Sequence, residues 1–256
     1  MNTTPRYSSR FTHRLAFAAT VLVACASIGR ATSVEIIAHR GGYIIAPENT
    51  CAAFNLCSGL VDQIEFDVRT TADGKLVVMH DDTVNRTTTG YGAVTSVAAL
   101  TLEQLKTLDA GIKFSPAFAG ERIPTLAEAL HAMPPGVLAM VHCKALTATN
   151  LVTVLRSENA LSNTIVGCED FNFLMAVRSL EPGLQFCFIG SGSPTTNTLA
   201  MLAPSGISSI SWEKNTTTSA LVAQAHSCGL KFYIWSISEP EMESSLAMGV
   251  DGILVD

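Results

Sequence analysis

The sequence predicts an α/β fold: one domain of short strands alternating with helices, in which binding residues gather at one end of the strands. Three observations lead there. Nine short apolar runs recur along the chain, most of them separated by amphipathic stretches of helical period. His, Arg, Asp and Glu cluster where the first of these runs end, and in a βα architecture the loops at those ends converge on one face. With an N-terminal export segment set aside, about 225 residues remain, enough for a single barrel and too few for a barrel with a second domain.

In chain order, Arg6, Arg10 and Arg14 precede an apolar run over residues 15–28, the pattern of an export signal and too short to span a bilayer comfortably. Residues 1–31 are read as that signal and 32–256 as the folded domain. Two processing routes stay open. Leu22-Val23-Ala24-Cys25 resembles a bacterial lipobox, which would lipidate Cys25 and attach the protein to a membrane; Ala24-Cys25-Ala26, or the stretch up to Ala31, suits an ordinary signal peptidase. Either route makes the protein periplasmic or extracellular.

Strands are expected at 34–38, 63–68, 76–80, 137–142, 164–168, 184–189, 207–211, 231–235 and 252–255. The link 70–75 leaves no room for a crossover helix, so the second and third runs cannot be parallel neighbours. Thr101 with Gln104 and Thr125 with Glu128 are capping boxes that open helices, and Asn49 or Thr50 caps the helix after the first strand.

Composition narrows the partners. The chain is 48% hydrophobic with a net charge of -6, and the signal contributes Arg but no acid, so the mature part is more acidic still. Nucleic acid is not expected as a partner. Of seven Cys, Cys25 lies in the signal; Cys51, Cys57, Cys143, Cys168, Cys187 and Cys228 permit disulfides in an exported protein without requiring any. Cys51 and Cys57 would stand about 120° apart around a helix, so a bridge needs the helix to end between them. Cys143, Cys168 and Cys187 sit inside strand-like runs and read as small buried thiols. His13, His131 and His226 fall outside the clusters and read as surface or structural residues.

The clusters carry specific chemistry. Glu65 and Asp67 are two apart on a strand, so their side chains share a face and can grip one hard cation through oxygen. Carboxylates in so apolar a run, Ile64-Glu65-Phe66-Asp67-Val68, would be costly there unless paired or metal-bound. His39 and His80 titrate near neutral pH, which suits one to take a proton and the other to give one. Arg40 offers a planar fork for phosphate oxygens. Metal, acid/base pair and guanidinium together point to phosphodiester cleavage.

The run His39-Arg40-Gly41, Pro47-Glu48-Asn49-Thr50, Glu65-x-Asp67, Asp73-Gly74, His80-Asp81 and Arg86-Thr87-Thr88-x-Gly90 resembles the glycerophosphodiester phosphodiesterases. Further on, Ile123-Pro124-Thr125-Leu126, Trp235 and Gly249-Val250-Asp251-Gly252-Ile253 continue the likeness. The resemblance implies a TIM (β/α)8 barrel without a sizeable insertion domain. Nine candidate strands for eight places then mean that one is not a barrel strand or that the barrel is irregular. It also implies one divalent metal, Mg or Ca, and a small glycerophosphodiester split into sn-glycerol 3-phosphate and an alcohol. His39 and His80 would be the acid/base pair, Arg40 and Lys144 would bind substrate, and Trp235 would wall its pocket.

Two departures stand out. The family has Glu-x-Lys on the fourth strand, whereas this chain has His142-Cys143-Lys144. A neutral imidazole can still ligate but removes one negative charge and favours softer divalent ions; Glu169 is the alternative source of an oxygen ligand. After Trp235 the chain reads Ser236-Ile237-Ser238 where the family commonly has Thr-x-Asn. Two other functions use similar residues: a phospholipase- or sphingomyelinase-type phosphodiesterase acting on intact lipids, and a weakly active or non-catalytic glycerophosphodiester-binding protein.

Overall fold

A computed structural model describes residues 34–256 apart from Ser193, Ser236 and Ser238; residues 1–33, with Cys25 and His13, lie outside it. Its framework is a closed ring of eight parallel strands. These are β1 (Glu35–Ala38), β2 (Gln63–Thr70), β4 (Leu138–Ala145), β5 (Thr164–Cys168), β6 (Gln185–Gly190), β7 (Ser209–Glu213), β8 (Lys231–Trp235) and β9 (Gly252–Val255). They neighbour one another in the order β1-β9-β8-β7-β6-β5-β4-β2, and β1 pairs with β2 to close the ring. The strand left over is β3 (Leu76–Val78). It runs antiparallel to β2 through Val68↔Val78 and Thr70↔Leu76, on the edge that β1 leaves free when it ends at Ala38. The short link between β2 and β3 thus makes a hairpin at the barrel's mouth, as its length requires.

Helices α1 (Cys51–Leu56), α2 (Leu102–Lys106), α3 (Leu126–His131), α4 (Ala148–Ser157), α5 (Phe171–Leu180), α6 (Thr196–Leu202), α7 (Ser219–Ser227) and α8 (Met242–Ala247) fill the connections. Thr50, not Asn49, caps α1 by accepting from the Ala53 N–H, and both capping boxes form, Thr101 with Gln104 and Thr125 with Glu128. None of the described helices is long and apolar enough to cross a membrane. The main core lies between the outer face of the ring and the helices, where Phe54, Phe66, Phe186 and Phe232 are fully buried. The segment between β3 and α3 adds a satellite of Val77, Met79, Val84, Val97, Leu100, Leu105 and Ile123, packed on β3. The six described cysteines are free thiols, with Cys143, Cys168 and Cys187 buried as expected.

Alternation along each strand decides what faces the barrel axis. Ile37, Met140, Ile165, Cys187, Ile189, Tyr233 and Leu254 form an apolar interior plug. Two or four residues further toward the C-terminal end, the same inward rows deliver His39, His142, Lys144, Glu169 and Trp235 to a single cavity of about 290 Å³, which Glu65 and Asp67 enter from β2. Side-chain periodicity therefore carries the chain from a dry floor to a charged mouth within a short length of each strand.

Candidate active site

The first strand ends in a backbone turn that few residues tolerate. Arg40 has φ 51°, and Gly41 and Gly42 follow at φ 79° each. A Cβ on Gly41 would lie 2.7 Å from Cδ1 of Phe54, so only glycine fits there. This turn aims the Arg40 N–H at Glu65, whose Oε2 accepts at 3.0 Å. Asn49, also at positive φ (59°), donates its Nδ2 to Asp67 Oδ2 at 3.0 Å, and its Oδ1 accepts from the Asp67 N–H. Two strained residues thus orient the two strand carboxylates, as strain at functional sites tends to do.

Glu65 and Asp67 are 2% and 1% exposed. His142, brought alongside by the Asp67↔His142 register of β2 and β4, places Nδ1 3.3 Å from both Glu65 Oε1 and Asp67 Oδ1. Donor atoms of Glu65, Asp67 and His142 all lie within 4.8 Å of one another. Glu169 occupies the other side of the imidazole, its Oε1 2.9 Å from Nε2, and it also meets Lys144 Nζ at 3.3 Å. Burial opposes a charged ring at His142, but Asp67, Glu169 and Glu65 outweigh it and hold the group well above its ordinary value. Burial likewise works against the Asp67 carboxylate, yet His142, His80 and Lys144 keep it below the usual range. For Glu169 burial is again overcome, by His142 and Lys144, and its carboxyl sits at about 2.

The two other imidazoles flank this cluster, each tethered at Nδ1. His39 meets Asp256 Oδ1 at 2.7 Å, and Tyr43 donates its hydroxyl to the other oxygen of the same carboxylate at 2.6 Å. His80 meets Asp81 Oδ1 at 2.8 Å, while Arg69 clamps the His80 carbonyl at 2.9 and 2.7 Å. With Nδ1 occupied, Nε2 is the nitrogen left to the cavity in both rings. Arg86 forks across Asp81 (2.6 Å) and Glu48 (2.7 Å), and its guanidinium holds Asp81 at about 2. Glu48 in turn accepts from Arg40 at 3.1 Å, so one ionic chain ties the His80 side of the mouth to the β1 turn.

A model of the "Glycerophosphoryl diester phosphodiesterase family" matches residues 39–256, which is most of the chain and all of the site just described. The chain belongs to this family. A glycerophosphodiester phosphodiesterase of Caldanaerobacter subterraneus subsp. tengcongensis is 36% identical over 233 residues, covering 86% of this chain and 93% of that protein. Among solved structures, an Oleispira antarctica phosphodiesterase in complex with the product sn-glycerol-3-phosphate superposes with a TM-score of 0.79 at 25% identity, over 86% of this chain and 92% of that one. A glycerophosphodiester phosphodiesterase from Agrobacterium tumefaciens, at 24% identity and TM-score 0.73 over 87% and 96% of the two chains, shares the fold.

In this family member, the family-like motifs divide into site and scaffold. His39, Arg40, Glu65, Asp67, His80, Lys144 and Trp235 line the cavity, together with His142 and Glu169. The others build the frame around it. Asp73 Oδ1 accepts from the Leu102 N–H, Thr88 Oγ1 donates to the Val84 carbonyl, and Asp251 accepts from the Phe232 N–H and from His226. His226 and His131 pair with Asp251 and Glu158 away from the cavity. Ser236 and Ser238, the other departure from the family pattern, lie outside the described residues.

Asp256, Tyr43 and Ser211 were not singled out by the sequence. For Asp256 a signal existed: it continues the inward row Gly252, Leu254 of β9, which the period of two places at the mouth. Tyr43 sits in a turn with no such pattern, and its hydroxyl is pushed up to about 12 by burial and by Asp256. Burial lowers the His39 value, but the Asp256 hydrogen bond and the charge of Glu65 outweigh it, for a net rise. Asp256→Asn removes that carboxylate, so the His39 value falls. The limb of the kcat/KM–pH profile that His39 controls moves to lower pH: the acid limb if His39 is the base, the alkaline limb if it is the acid. An unmoved profile would show that Asp256 does not tune His39.

Proposed function

We propose that this protein is an exported, metal-dependent hydrolase that splits glycerophosphodiesters into sn-glycerol 3-phosphate and an alcohol. One observation carries the reading: buried Glu65, Asp67 and His142 converge within 4.8 Å in a cavity that His39, His80, Arg40 and Lys144 also line. Family membership supports the reaction class, and the Oleispira neighbour's bound sn-glycerol-3-phosphate supports the product.

The donor set suits a divalent ion. Two carboxylates offer hard oxygens, Arg40 N–H and Asn49 hold their outer lone pairs, and Glu169 fixes the far nitrogen of His142, the outer support that metal-bound imidazoles need. Glu65, Asp67 and His142 Nδ1 are the proposed ligands, with Glu169 as their support rather than a replacement. An ion bound there would offset the charge that builds on the phosphate oxygens. Family resemblance suggests Mg or Ca, and the imidazole moves the preference toward softer ions such as Mn, Co or Zn.

The protein's own groups do the rest. Arg40 and Lys144 surround the phosphate with positive charge. One of His39 and His80 takes a proton through its free Nε2 from the nucleophile, which is either water or the glycerol 2-hydroxyl; in the second case a cyclic phosphate forms as the alcohol leaves, and water then opens it to sn-glycerol 3-phosphate. The other gives a proton to the departing alcohol oxygen as the P–O bond breaks. Asp256 and Asp81 hold the rings so that the reactive nitrogen faces the cavity. The indole of Trp235 walls the substrate pocket.

Residues 1–31 are proposed as the export signal, and the N-terminus of the mature protein decides its processing. A lipidated Cys25 in the membrane fraction marks the lipoprotein, and a soluble form starting at Ser27 or Thr32 marks ordinary cleavage. The function itself is tested by offering the metal-loaded protein glycerophosphocholine and sphingomyelin while assaying glycerol 3-phosphate and phosphocholine. Release of glycerol 3-phosphate from the first substrate alone is expected. Cleavage of sphingomyelin, or tight binding without turnover, would replace the proposal with one of the two other functions.

A further inference from the structure

The cavity has a second polar wall that the phosphate-binding groups do not use. Ser211, on β7, is 1% exposed and lines the cavity, yet its hydroxyl has no hydrogen-bond partner among the described residues. Trp235 Nε1, at the end of β8, is buried in the same condition. Strand order puts β7 and β8 across the ring from β2 and β4, so both groups face the cavity from the side opposite Glu65, Asp67 and His142. The cavity-lining residues on the flanking strands β6 and β9 are apolar: Ile189 and Leu254. Buried polar groups in folded proteins nearly always find partners, and an apolar wall offers none, so a ligand oxygen is the partner that fits.

We propose that Ser211 Oγ and Trp235 Nε1 form the subsite for a free glycerol hydroxyl of the substrate. The inference rests on the glycerophosphodiester reading and goes beyond it by naming what recognises the glycerol. Phosphate is held on the β2–β4 side, so whatever reaches the far wall must be short, polar and able to bury its carbons. Glycerol meets all three conditions: its free hydroxyls accept from an indole N–H and exchange hydrogen bonds with a serine hydroxyl, while its methylenes meet Ile189 and Leu254. The head group then leaves through the open mouth, where the His80 side chain is 32% exposed.

The test measures binding of sn-glycerol 3-phosphate, 1,2-propanediol phosphate and 1,3-propanediol phosphate to the metal-loaded wild type, Ser211→Ala and Trp235→Phe. The two diol phosphates each lack one hydroxyl, and Trp235→Phe removes the N–H while keeping an aromatic wall. Wild type is expected to prefer glycerol 3-phosphate to one of the diol phosphates by roughly tenfold or more, the usual discrimination of a site built to bond a hydroxyl. Each variant shrinks that preference several-fold by weakening glycerol 3-phosphate. Ser211→Ala keeps or raises the melting temperature, because it deletes an unpaired buried hydroxyl. Three results would overturn the subsite: unchanged preferences in both variants, a lowered melting temperature with unchanged preferences, or losses seen only with substrates whose head group carries hydroxyls, such as glycerophosphoinositol. Turnover of glycerophosphocholine by the wild type, run alongside, separates failure of the subsite from failure of the function.

Discussion

Replacing either His39 or His80 by alanine lowers kcat at least about a hundredfold, the usual size of a lost general acid or base. Both rings stand at the rim of the same cavity, and both are held at Nδ1 by a carboxylate, at 2.7 and 2.8 Å. Proton transfer needs such a ring in place at the moment the phosphorus–oxygen bond changes, and no other described histidine lines the cavity except His142, whose two nitrogens are taken by Glu65, Asp67 and Glu169. The scaffold should survive either change, since each ring is partly exposed and such ion pairs add little stability. Circular dichroism and melting temperature check that. Near-native turnover in both folded variants would remove the acid/base assignment.

Asp67→Asn is expected to be as severe by a different route. Asp67 accepts from the Asn49 amide and faces His142 and Lys144, so its charge is held by one hydrogen bond and two ion-pair contacts. The amide keeps the volume but loses the anionic oxygen, so metal affinity falls by more than the roughly 10–100-fold that loss of an outer supporting group costs, and activity falls with it. Calorimetric titration with the activating ion measures the first and glycerol 3-phosphate release the second. Unchanged metal affinity would show that the cluster is an ion-pair network and not a metal site.

How much of this was legible beforehand differs between fold and site. The strands declared themselves because a parallel barrel buries both faces of each strand, which writes continuous apolar runs such as Ile165-Val166 and Phe232-Tyr233-Ile234. The surplus strand was detectable from the five-residue connection alone. Glu65, Asp67, His39 and His80 could be singled out since a charged or titratable group at the end of an apolar run is costly to bury without a partner or a ligand. The contacts of Glu169 with His142 and of Asp256 with His39 could not, for both depend on which strands become neighbours: β4 with β5, and β1 with β9. A hydroxyl such as Ser211 is ordinary in sequence and becomes informative only once its surroundings are seen to be apolar.

The most direct test strips the protein of metal and restores Mg²⁺, Ca²⁺, Mn²⁺, Co²⁺ or Zn²⁺ in turn, following glycerol 3-phosphate release from glycerophosphocholine and ion affinity by calorimetry, for the wild type and His142→Glu. The expected result is an inactive stripped protein, recovery with divalent ions, and a shift in both activity and affinity from the softer ions toward Mg²⁺ and Ca²⁺ when the carboxylate replaces the imidazole. Full activity without metal would contradict the account, and so would identical ion rankings and affinities in the two proteins, which would mean that His142 does not touch the metal.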